Sequence, residues 1–468
     1  MKTLVMKFGG TSVGSSKAIQ QAAAIVQQHS PDWERLVVVV SAMRGVTDAL
    51  ITCAQAAVRG DRKRYQDLIA EMHTRHRNVG MDLLADGGEY KAFLANIQRQ
   101  IAELSAYIRS IQVLGEITPR GMDTIVSFGE RMNAPLVAAT LQKSGVRSRA
   151  INATELIVTD SAFQNAAPDM TATRNKTQAG LLPLFDEGIV PVVTGFIAAT
   201  PEGVITTLGR GGSDYTAAIL GACLDVDEVW TWTDVDGVMT ADPRIVPEAR
   251  VIPEISFREI SELAYFGAKV LHPKAIRPVM EKEIPLWVKN TFNPKNPGTR
   301  ITSTPPSSTG RVIAISNIPN LSLITVEGRG MLGVPGIAAR TFSAVARTGA
   351  SVLMISQASS EQSISFIIPA AGAEQVIHSL EEEMALELAR RDIDRVWQRP
   401  NVTILTVVGS ALRETPGIAA RIFGALGQAE INVVAIAQGS SEYIVSLVVA
   451  DEDADLAMQC VHDEVILS

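Results

Sequence analysis

The stretch TLVMKFGGTSVGSSKAIQQAAAIVQQ, residues Thr3 to Gln28, decides the architecture of the first part of the chain. Its apolar run Thr3–Phe8 predicts a buried strand, two glycines follow, and the alanine-rich segment from Ser16 predicts a helix. The order strand, glycine turn and helix is the repeating unit of a parallel α/β sheet. The same order recurs over the first three hundred residues, where further strands are predicted at Leu36–Val40, Val146–Asn152, Ile189–Thr194, Glu228–Thr233 and Pro285–Lys289. The sequence therefore predicts an α/β fold with an open, mostly parallel sheet between helix layers.

Two segments interrupt this alternation of strands and helices. Residues 52–117 carry charged helical sequence and no strand pattern, so we expect a helical excursion from the sheet. Near Asn293 the composition changes to NPKNPGTRITSTPPSSTGR, whose four prolines and many hydroxyl residues are typical of a linker. These features predict a first domain at residues 1–300 and a linker at residues 301–310.

The C-terminal third contains an internal repeat. VPGIAARTF at Val334–Phe342 recurs as TPGIAARIF at Thr415–Phe423, an offset of 81 residues. Each copy has the order strand, Gly/Pro turn, helix, strand, turn, strand and helix, so the chain holds two copies of one α+β module.

Each of these βαββα units needs one more strand to close a βαββαβ sheet. The first copy finds that strand at Ile393–Trp397, but the second copy has no residues left for one. We therefore expect the second copy to use Arg311–Ser316, so that Val312–Ile315 pairs in the sheet that contains Ile404–Val407. The predicted modules are residues 317–398 and residues 311–316 with 399–468.

Composition excludes several classes of protein. The chain has 468 residues, of which 46% are apolar and 20% charged, a balance typical of a soluble globular protein of about three domains. The longest aliphatic run, Leu36–Val40, is far shorter than a membrane-spanning segment. Lys7 interrupts the apolar start that a signal peptide needs. We therefore expect a cytoplasmic protein without membrane contact. The net charge of -8 disfavours a nucleic-acid partner. Three widely spaced cysteines exclude a disulfide framework and a zinc cluster: Cys53, Cys223 and Cys460.

The first chemical motif is the junction KFGGTS at Lys7–Ser12. Two glycines let backbone amides turn inward, and the following helix adds the partial positive charge of its N-terminus, so the junction can form an anion site. Lys7 would reach into the same space from the end of the strand. A tight turn with a surface lysine is the alternative interpretation, and the spacing of a Walker A motif is absent.

A second glycine cluster, TLGRGGSDYTAA at Thr207–Ala218, again precedes an apolar helix. It combines three glycines with a cation, a hydroxyl and a carboxylate: Gly209, Arg210, Gly211, Gly212, Ser213 and Asp214. The glycines allow the backbone to approach a ligand closely. Flexible linkers also contain glycines, but not with this charge pattern at the start of a helix, so we interpret the cluster as a ligand-binding loop.

The third motif, VWTWTDVDGVMTADPR at Val229–Arg244, places Thr233 and Asp234 at the end of a buried strand. Ligands of open α/β sheets bind at this carboxyl edge. An EF-hand interpretation of DVDG fails because the further carboxylate positions are not filled. Downstream, FGAKVLHP at Phe266–Pro273 places Lys269 on an apolar helix end, where a lone lysine is usually solvated.

Together these stretches resemble the aspartate kinase family of the amino-acid kinase superfamily. The motifs fall in the family's order: KFGGTSVG from Lys7, SAMRGVTDAL from Ser41, FGERMNAPL from Phe128, GRGGSD from Gly209, TDVDGVMTADPR from Thr233 and FGAKVLHP from Phe266. The tandem repeat resembles a pair of ACT domains, so the resemblance covers the whole chain. It implies an amino-acid kinase fold followed by two α+β ACT domains.

The resemblance implies transfer of the γ-phosphoryl group of ATP to the side-chain carboxylate of L-aspartate, giving 4-phospho-L-aspartate. This is the first step of lysine, threonine and methionine biosynthesis. Because the nucleophile is already an anion, the reaction needs no general base, and the protein must hold two anions together while stabilising charge on the transferred group. The implied Mg²⁺ is carried by the nucleotide, with no metal site of the protein's own.

The resemblance also implies roles for individual residues. The implied catalytic residues are Lys7, which bridges the phosphates, Asp214 and Lys269. Those that bind aspartate are Arg210 at its α-carboxylate, Glu130 at its ammonium group, and Ser41, Thr47, Gly211, Gly212 and Ser213 around it. Those that bind ATP are Lys7, Phe8, Gly9, Gly10, Thr233, Asp234, Met239, Arg244, Lys269 and Val270.

Several of these roles have alternatives. Asp214 can organise either the lysines or the ammonium group of the substrate. Glu130 can instead be a solvated helix residue that Arg131 neutralises. Met239 replaces a tyrosine of many relatives, although a methionine can still cover adenine by apolar contact. His272 is expected to be structural, since this chemistry needs no histidine catalyst.

A different function for the same fold is an inactive amino-acid sensor that acts through its ACT pair. An inactive protein would be free to lose its catalytic and binding residues, so the retention of five of them argues against it: Lys7, Glu130, Arg210, Asp214 and Lys269. A fused homoserine dehydrogenase, present in some relatives, is not expected, since no dinucleotide-binding unit follows the repeats.

For the feedback effector we favour threonine over lysine. Gln357 and Gln438 occupy equivalent positions of the repeat, and a glutamine can both donate to and accept from a small hydroxylated amino acid. A site selective for lysine should offer a carboxylate, and Glu361 and Glu442 nearby keep lysine as the second choice. The ACT pair also implies a homodimer.

Overall fold

The computed structural model of the chain describes residues 1–85, 87–267, 271–303, 311–331, 334–357, 362–412, 414–437 and 443–467. The chain divides into two compact units. The first comprises Met1–Val238, Val251–Ile260 and Val270–Pro306, and the second comprises Met239–Arg250, Ser261–Lys269 and Ser307–Ser468. Two short segments inside the predicted first domain, residues 239–250 and 261–269, are therefore grouped with the C-terminal third.

The strands of the first unit, as far as it is described, are β1 (Thr3–Phe8), β2 (Arg35–Val40), β3 (Ser148–Ile151), β4 (Val190–Thr194), β5 (Ile197–Ala199), β6 (Ile205–Thr207), β7 (Glu228–Thr233), β8 (Glu254–Ser256), β9 (Leu286–Asn290) and β10 (Thr299–Thr302). Eight of them form one sheet in the order β3-β4-β2-β1-β7-β9-β10-β8. Strands β3, β4, β2, β1, β7 and β9 run parallel to one another, and β10 is antiparallel to β9. The predicted mostly parallel sheet is confirmed, and all six strands predicted from the sequence are present.

The helices of the first three hundred residues are α1 (Ser16–His29), α2 (Val46–Val58), α3 (Arg62–Leu84), α4 (Gly88–Leu114), α5 (Pro119–Lys143), α6 (Met170–Asp186), α7 (Gly212–Leu224), α8 (Phe257–Tyr265) and α9 (Pro273–Glu281). Helices α2, α3 and α4 occupy the range in which the sequence predicts a helical excursion. They bury apolar side chains in one core with Leu4, Met6 and Phe8 of β1. Of the helices described, none has the length and apolarity needed to span a membrane.

The sequence did not predict four short strands, β5, β6, β8 and β10. Strands β5 and β6 form an antiparallel hairpin, and β8 pairs with β10 at the end of the main sheet. Strand β10 lies in the proline-rich segment and extends two residues into the predicted linker. It reaches β9 through Gly298, where an added Cβ would stand 2.1 Å from the carbonyl oxygen of Val288. Only glycine fits this approach, so the described start of the proline-rich segment, residues 293–298, forms a tight turn between β9 and β10.

The strands of the second unit are β11 (Val312–Glu327), β12 (Met354–Gln357), β13 (Ser363–Pro369), β14 (Arg395–Gly409), β15 (Ala435–Ala437) and β16 (Ile444–Ala450). Its described helices include α10 (Ile337–Arg347), α11 (Ala373–Glu383), α12 (Ala385–Arg390), α13 (Ile418–Gln428) and α14 (Ala454–His462). The strands form one antiparallel sheet in the order β12-β13-β11-β14-β16-β15. The predicted α+β class of this region is confirmed.

The two long strands β11 and β14 serve both copies of the repeat. Val312 is opposite Gly409 and Ile315 is opposite Val407, which is the pairing that the strand count predicts. The structure adds that the predicted closing strand and the first strand of the first copy are one continuous strand, with register shifts between Ile318 and Leu321. The shifts change the pairing within β11, so a single strand can complete both modules.

The repeat also reproduces side-chain contacts at the same offset. Arg340 pairs with Glu383 at 3.0 Å, and the equivalent Arg421 pairs with Glu464 at 2.9 Å. Both pairs join the first helix of a copy to the helical segment that follows its third strand, β13 or β16. One predicted helix differs from the structure: the segment Ala373–Arg391 is divided into α11 and α12 at Met384, a fully buried residue.

Candidate active site

Lys7 lies near the carboxyl end of β1 with only 6% of its surface exposed. Its Nζ is 2.7 Å from Oδ1 of Asp214, which stands in the first turn of α7. The helix begins after Gly211, whose φ of 71° is in the left-handed region that favours glycine. Of the two roles predicted for Asp214, this contact favours the one in which the carboxylate organises a lysine.

The glycine turn after β1 packs tightly against the loop that follows β2. The amide of Gly9 donates to the carbonyl of Trp232 at 3.0 Å, and the carbonyl of Gly10 accepts from the amide of Arg44 at 3.0 Å. A Cβ on Gly10 would stand 3.1 Å from the carbonyl oxygen of Ala42, so a side chain at residue 10 would push the two loops apart by a few tenths of an ångström. The turn leads to α1, whose N-terminus favours an anion.

Glu130 is a buried carboxyl group on α5, 3% exposed. Its Oε1 accepts a hydrogen bond from the amide of Ala42 at 3.1 Å, while its Oε2 is buried without a hydrogen-bond partner among the described residues. Burial raises the pKa of Glu130 to about 8, against the smaller opposing effect of the Ala42 amide. Arg131 does not neutralise it, because the Arg131 guanidinium binds Glu103 at 3.0 Å. Glu130 is therefore not a solvated residue on the helix surface.

Asp123 is a second buried carboxylate on α5, which the sequence did not single out. Its Oδ2 accepts from the amides of Gln164 at 2.9 Å and Thr207 at 3.0 Å, and its Oδ1 accepts from the Thr207 hydroxyl at 2.8 Å. Burial raises its pKa, although these hydrogen bonds oppose the shift. Asp123 therefore ties the helix that carries Glu130 to the strand that leads into Arg210. The spacing of seven residues between Asp123 and Glu130, two helical turns, was the available sequence signal.

These side chains border a cavity of about 840 Å³ in the first unit. The predicted residues that line it are Lys7, Gly10, Ser41, Thr47, Glu130, Arg210, Gly211, Gly212, Ser213 and Asp214. Lining residues that the sequence did not single out include Arg44, Asp48, Asp123 and Gln164. Cations and carboxylates thus face one space, so the cavity can bind a ligand that carries charges of both signs.

The structure brings only some of the predicted ATP-binding residues together, at the ends of the neighbouring strands β1 and β7. Phe8 and Gly9 follow Lys7, and Thr233 ends the neighbouring strand β7, where its hydroxyl donates to the carboxylate of Asp234 at 3.2 Å. Met239 and Arg244 belong to the second unit, and Arg244 is bound there by Asp242. Lys269 and Val270 lie outside the described residues.

His272 has a structural contact of the kind the sequence predicts. Its Nδ1 accepts a hydrogen bond from the amide of Lys274 at 3.3 Å and so caps the N-terminus of α9. Burial lowers its pKa, and the charges of Arg210 and Lys274 lower it further. A Cβ on Gly211 would stand 2.8 Å from Cβ of His272, so this packing also explains the glycine at the start of α7.

Of the two predicted effector residues, Gln357 can be described. It ends β12 and lines a second cavity of about 320 Å³ beside the N-terminus of α10. The other lining residues are Met331, Val334, Pro335, Gly336, Ile337, Ala338 and Ile364. Gln438, like Glu361 and Glu442, lies outside the described residues.

Comparison with known proteins assigns this fold to a class. The model of the amino acid kinase family matches residues 2–290, and the model of the ACT domain matches residues 324–384 and 405–465. The chain belongs to the amino acid kinase family and carries two ACT domains in its C-terminal third. The resemblance to aspartate kinases is confirmed by its relatives and structural neighbours.

Bifunctional aspartokinase/homoserine dehydrogenase 1 of Arabidopsis thaliana, a chloroplastic protein, is 40% identical over 470 residues, which cover 99% of this chain and 51% of that protein. Chloroplastic aspartokinase 2 of the same plant is 34% identical over 98% of this chain and 84% of its own length. The crystal structure of Escherichia coli aspartokinase III in complex with aspartate and ADP matches with a TM-score of 0.82 and 29% identity, covering 100% of both chains. The chain spans about half the length of the bifunctional relatives it matches.

Proposed function

We propose that the protein is an ATP-dependent aspartate kinase that forms 4-phospho-L-aspartate. The observation that supports this most is the convergence of Lys7, Glu130 and Arg210 on one cavity. Glu130 is a buried carboxyl group that forms no ion pair with the described residues, and the ammonium group of an amino acid would supply the missing cation. The structural neighbour from Escherichia coli, described with aspartate and ADP, is consistent with such a substrate.

In the proposed complex, aspartate lies between α5 and the loop before α7. Arg210 binds its α-carboxylate and Glu130 binds its ammonium group. The hydroxyl groups and amides around them come from Ser41, Thr47, Gly211, Gly212 and Ser213. Because the loop carries a cation and α5 carries a carboxylate, the α-carboxylate and the α-ammonium group each meet an opposite charge, which leaves the β-carboxylate free to react.

Phosphoryl transfer then depends on position and charge. The β-carboxylate of aspartate is the nucleophile, so no group has to remove a proton. Lys7 neutralises charge that develops on the transferred group, and Asp214 holds the lysine near its working position. Gly9 and Gly10 offer backbone amides, and ATP brings Mg²⁺ bound to its phosphates. The further nucleotide contacts that we propose are Phe8, Thr233, Asp234, Met239, Arg244, Lys269 and Val270.

A hydroxamate assay tests this function directly. Purified protein with ATP, Mg²⁺, millimolar L-aspartate and hydroxylamine is expected to form aspartyl hydroxamate, because hydroxylamine traps the acyl phosphate. Reactions without ATP, and with L-glutamate in place of aspartate, serve as controls. Absence of hydroxamate, together with threonine binding by calorimetry, would instead support the inactive amino-acid sensor.

We propose that residues 1–300 carry catalysis and that residues 317–398 and residues 311–316 with 399–468 are regulatory modules. The proposed linker at 301–310 is corrected at its start, because Ile301 and Thr302 belong to β10. Strands β11 and β14 support this nesting, since each is shared by both modules.

The modules also support a homodimer. Ile355 and Ile436 occupy equivalent repeat positions on the outermost strands and remain 51% and 47% exposed, as residues covered by a second copy would be.

Threonine is the proposed feedback effector, and lysine is the second candidate. Gln357 supports threonine because its amide can bond a small hydroxylated amino acid in the cavity beside α10. Lysine retains support from a structural neighbour, Escherichia coli aspartokinase III described in complex with lysine and aspartate, which matches with a TM-score of 0.80 and 29% identity.

Replacing Gln357 by Ala is expected to raise the threonine concentration for half-inhibition by about 5- to 150-fold, the range of typical allosteric coupling, without changing uninhibited activity. The reason is that feedback requires the effector to bind the inactive state better than the active state. The control is Gln362→Ala, an exposed glutamine that does not line the cavity. Inhibition by lysine alone, or threonine inhibition untouched by Gln357→Ala, would show that the effector or its site is misassigned.

A further inference from the structure

We propose that Arg75, on the helical excursion, is a positioning residue that fixes the phosphate-binding turn against the loop that binds aspartate. This inference rests on the proposed function and concerns how the two substrates are aligned. Neither the glycine motifs nor the substrate-binding residues include Arg75, which stands in the middle of α3.

The Arg75 guanidinium contacts both segments at once. One terminal nitrogen donates to the carbonyl oxygen of Arg44 at 2.8 Å, and the other donates to the carbonyl oxygen of Gly14 at 2.8 Å. Gly14 ends the turn that begins at Gly9, and Arg44 lies between Ser41 and Thr47 in the other loop. The planar fork of an arginine is suited to bridging two acceptors in a fixed geometry.

Two backbone hydrogen bonds already join the segments just beyond β1 and β2. The amide of Ser41 donates to the carbonyl of Phe8 at 3.2 Å, and the amide of Arg44 donates to the carbonyl of Gly10 at 3.0 Å. Glycine-rich turns in such close contact can shift when one hydrogen bond is lost, because glycine restricts the backbone little. Arg75 adds two hydrogen bonds from a third element, so both turns are held in a fixed position relative to α3.

Helix α3 is itself a rigid support. It buries Tyr65, Leu68, Met72 and Leu83 in the core that contains β1. Its position therefore does not depend on Arg75, and loss of the guanidinium is expected to release the turns without releasing the helix. Because α3 is packed in the core, the half-buried Arg75 can restrain the movement of the two turns that it contacts.

The consequence is specific to the chemical step. One turn carries the amides near the phosphates, and the other carries the hydroxyl groups near aspartate, so each substrate still meets its own contacts when the turns move apart. What changes is the distance and angle between the attacking carboxylate and the phosphorus atom. A displacement of about 1 Å can lower the rate of such a reaction by about 100-fold.

The test compares Arg75→Ala and Arg75→Lys with the wild type in the hydroxamate assay. Arg75→Ala is expected to lower kcat by about 10- to 50-fold while both KM values stay within about threefold, because alignment rather than binding is lost. Arg75→Lys keeps the charge and the stem but cannot bridge both carbonyls with a planar fork, so it should also lose most of kcat. Millimolar guanidinium is expected to restore part of the kcat of Arg75→Ala but not that of Arg75→Lys.

Arg77→Ala is the matched control, since Arg77 is exposed on the same helix and contacts the neighbouring Asn78 at 3.4 Å. It should leave kcat and the guanidinium response unchanged. Wild-type kcat in Arg75→Lys, or KM values that rise as much as kcat falls, would overturn the role of Arg75 while leaving the proposed function intact. An inactive wild type would count against the proposed function itself.

Discussion

Replacing Lys7 by Ala is expected to lower the turnover of aspartate phosphorylation by about 100-fold or more. The Lys7 ammonium is nearly inaccessible to solvent and lies 2.7 Å from Asp214, so its charge acts in a site where water screens it poorly. A group of this kind stabilises charge on the transferred phosphoryl group more than charge in the ground state. We therefore expect kcat to fall much more than the KM for aspartate rises, as measured by hydroxamate formation.

Lys17→Ala provides the control for loss of a positive charge, because Lys17 is exposed on the adjoining helix α1. Thermal unfolding of Lys7→Ala should show an intact fold, since the apolar residues of β1 remain buried. The double variant Lys7→Ala with Asp214→Asn removes the carboxylate that would be left unpaired, and it should be as inactive as the single variant. Near wild-type turnover in Lys7→Ala would show that Lys7 plays no part in phosphoryl transfer.

Replacing Glu130 by Gln is expected to raise the KM for aspartate by about 30- to 100-fold and to change kcat less. Glutamine keeps the shape of the side chain, and its oxygen can still accept from the amide of Ala42, so the loop after β2 should stay in place. What is lost is the negative charge that faces the ammonium group. The measurement is the dependence of the initial rate on aspartate concentration at saturating ATP.

The pKa of Glu130, raised by burial to about 8, adds a pH dependence. Below that value the ligand-free protein holds Glu130 mainly as the neutral acid, whereas the ammonium group binds the carboxylate, so aspartate and a proton compete. The KM for aspartate should therefore fall as pH rises from about 6, by up to about tenfold per unit, and level off above the pKa. Glu130→Gln should lose this dependence.

The same shift predicts an effect on folding that needs no substrate. A carboxyl group whose pKa is higher in the folded state makes the protein less stable as pH rises from the unfolded value towards the folded value. The ligand-free wild type should lose stability relative to Glu130→Gln across that window. Glu116→Gln is the control, because Glu116 is an exposed carboxylate in the segment just before α5. An aspartate KM independent of pH in the wild type, and unchanged in Glu130→Gln, would remove Glu130 from the substrate site.

The regular elements were predictable wherever local sequence is decisive. Strand β7 has the bounds that its β-branched and aromatic run predicts, Glu228–Thr233, and β1 does so as well. The short strands β8 and β10 were missed because three or four residues give no periodicity. These segments are strands because they pair with residues that are distant in the chain. Arg300 of β10, for example, pairs with Glu254 of β8 and Trp287 of β9.

The repeat shows how far counting alone can reach. An offset of 81 residues and a missing strand together predicted that Val312–Ile315 would pair with the strand that contains Val407. Counting could not show that β11 and β14 are each continuous through both modules. That outcome depends on register shifts, which are set by packing on both sides of the sheet.

The sequence by itself determined the alternating strands and helices, the two modules and the identity of the charged residues near the glycine turns. Hydrophobic period, glycine position and repeat spacing are properties of neighbouring residues, so they can be read locally. Only the tertiary structure decided that Asp214 pairs with Lys7, that Arg131 turns away from Glu130, and that Asp123 and Arg75 hold the loops. The physical reason is that burial and hydrogen bonding at these positions depend on groups from other elements. Glu130 is an ordinary helix residue in the sequence, and its raised pKa arises from its burial in the folded protein.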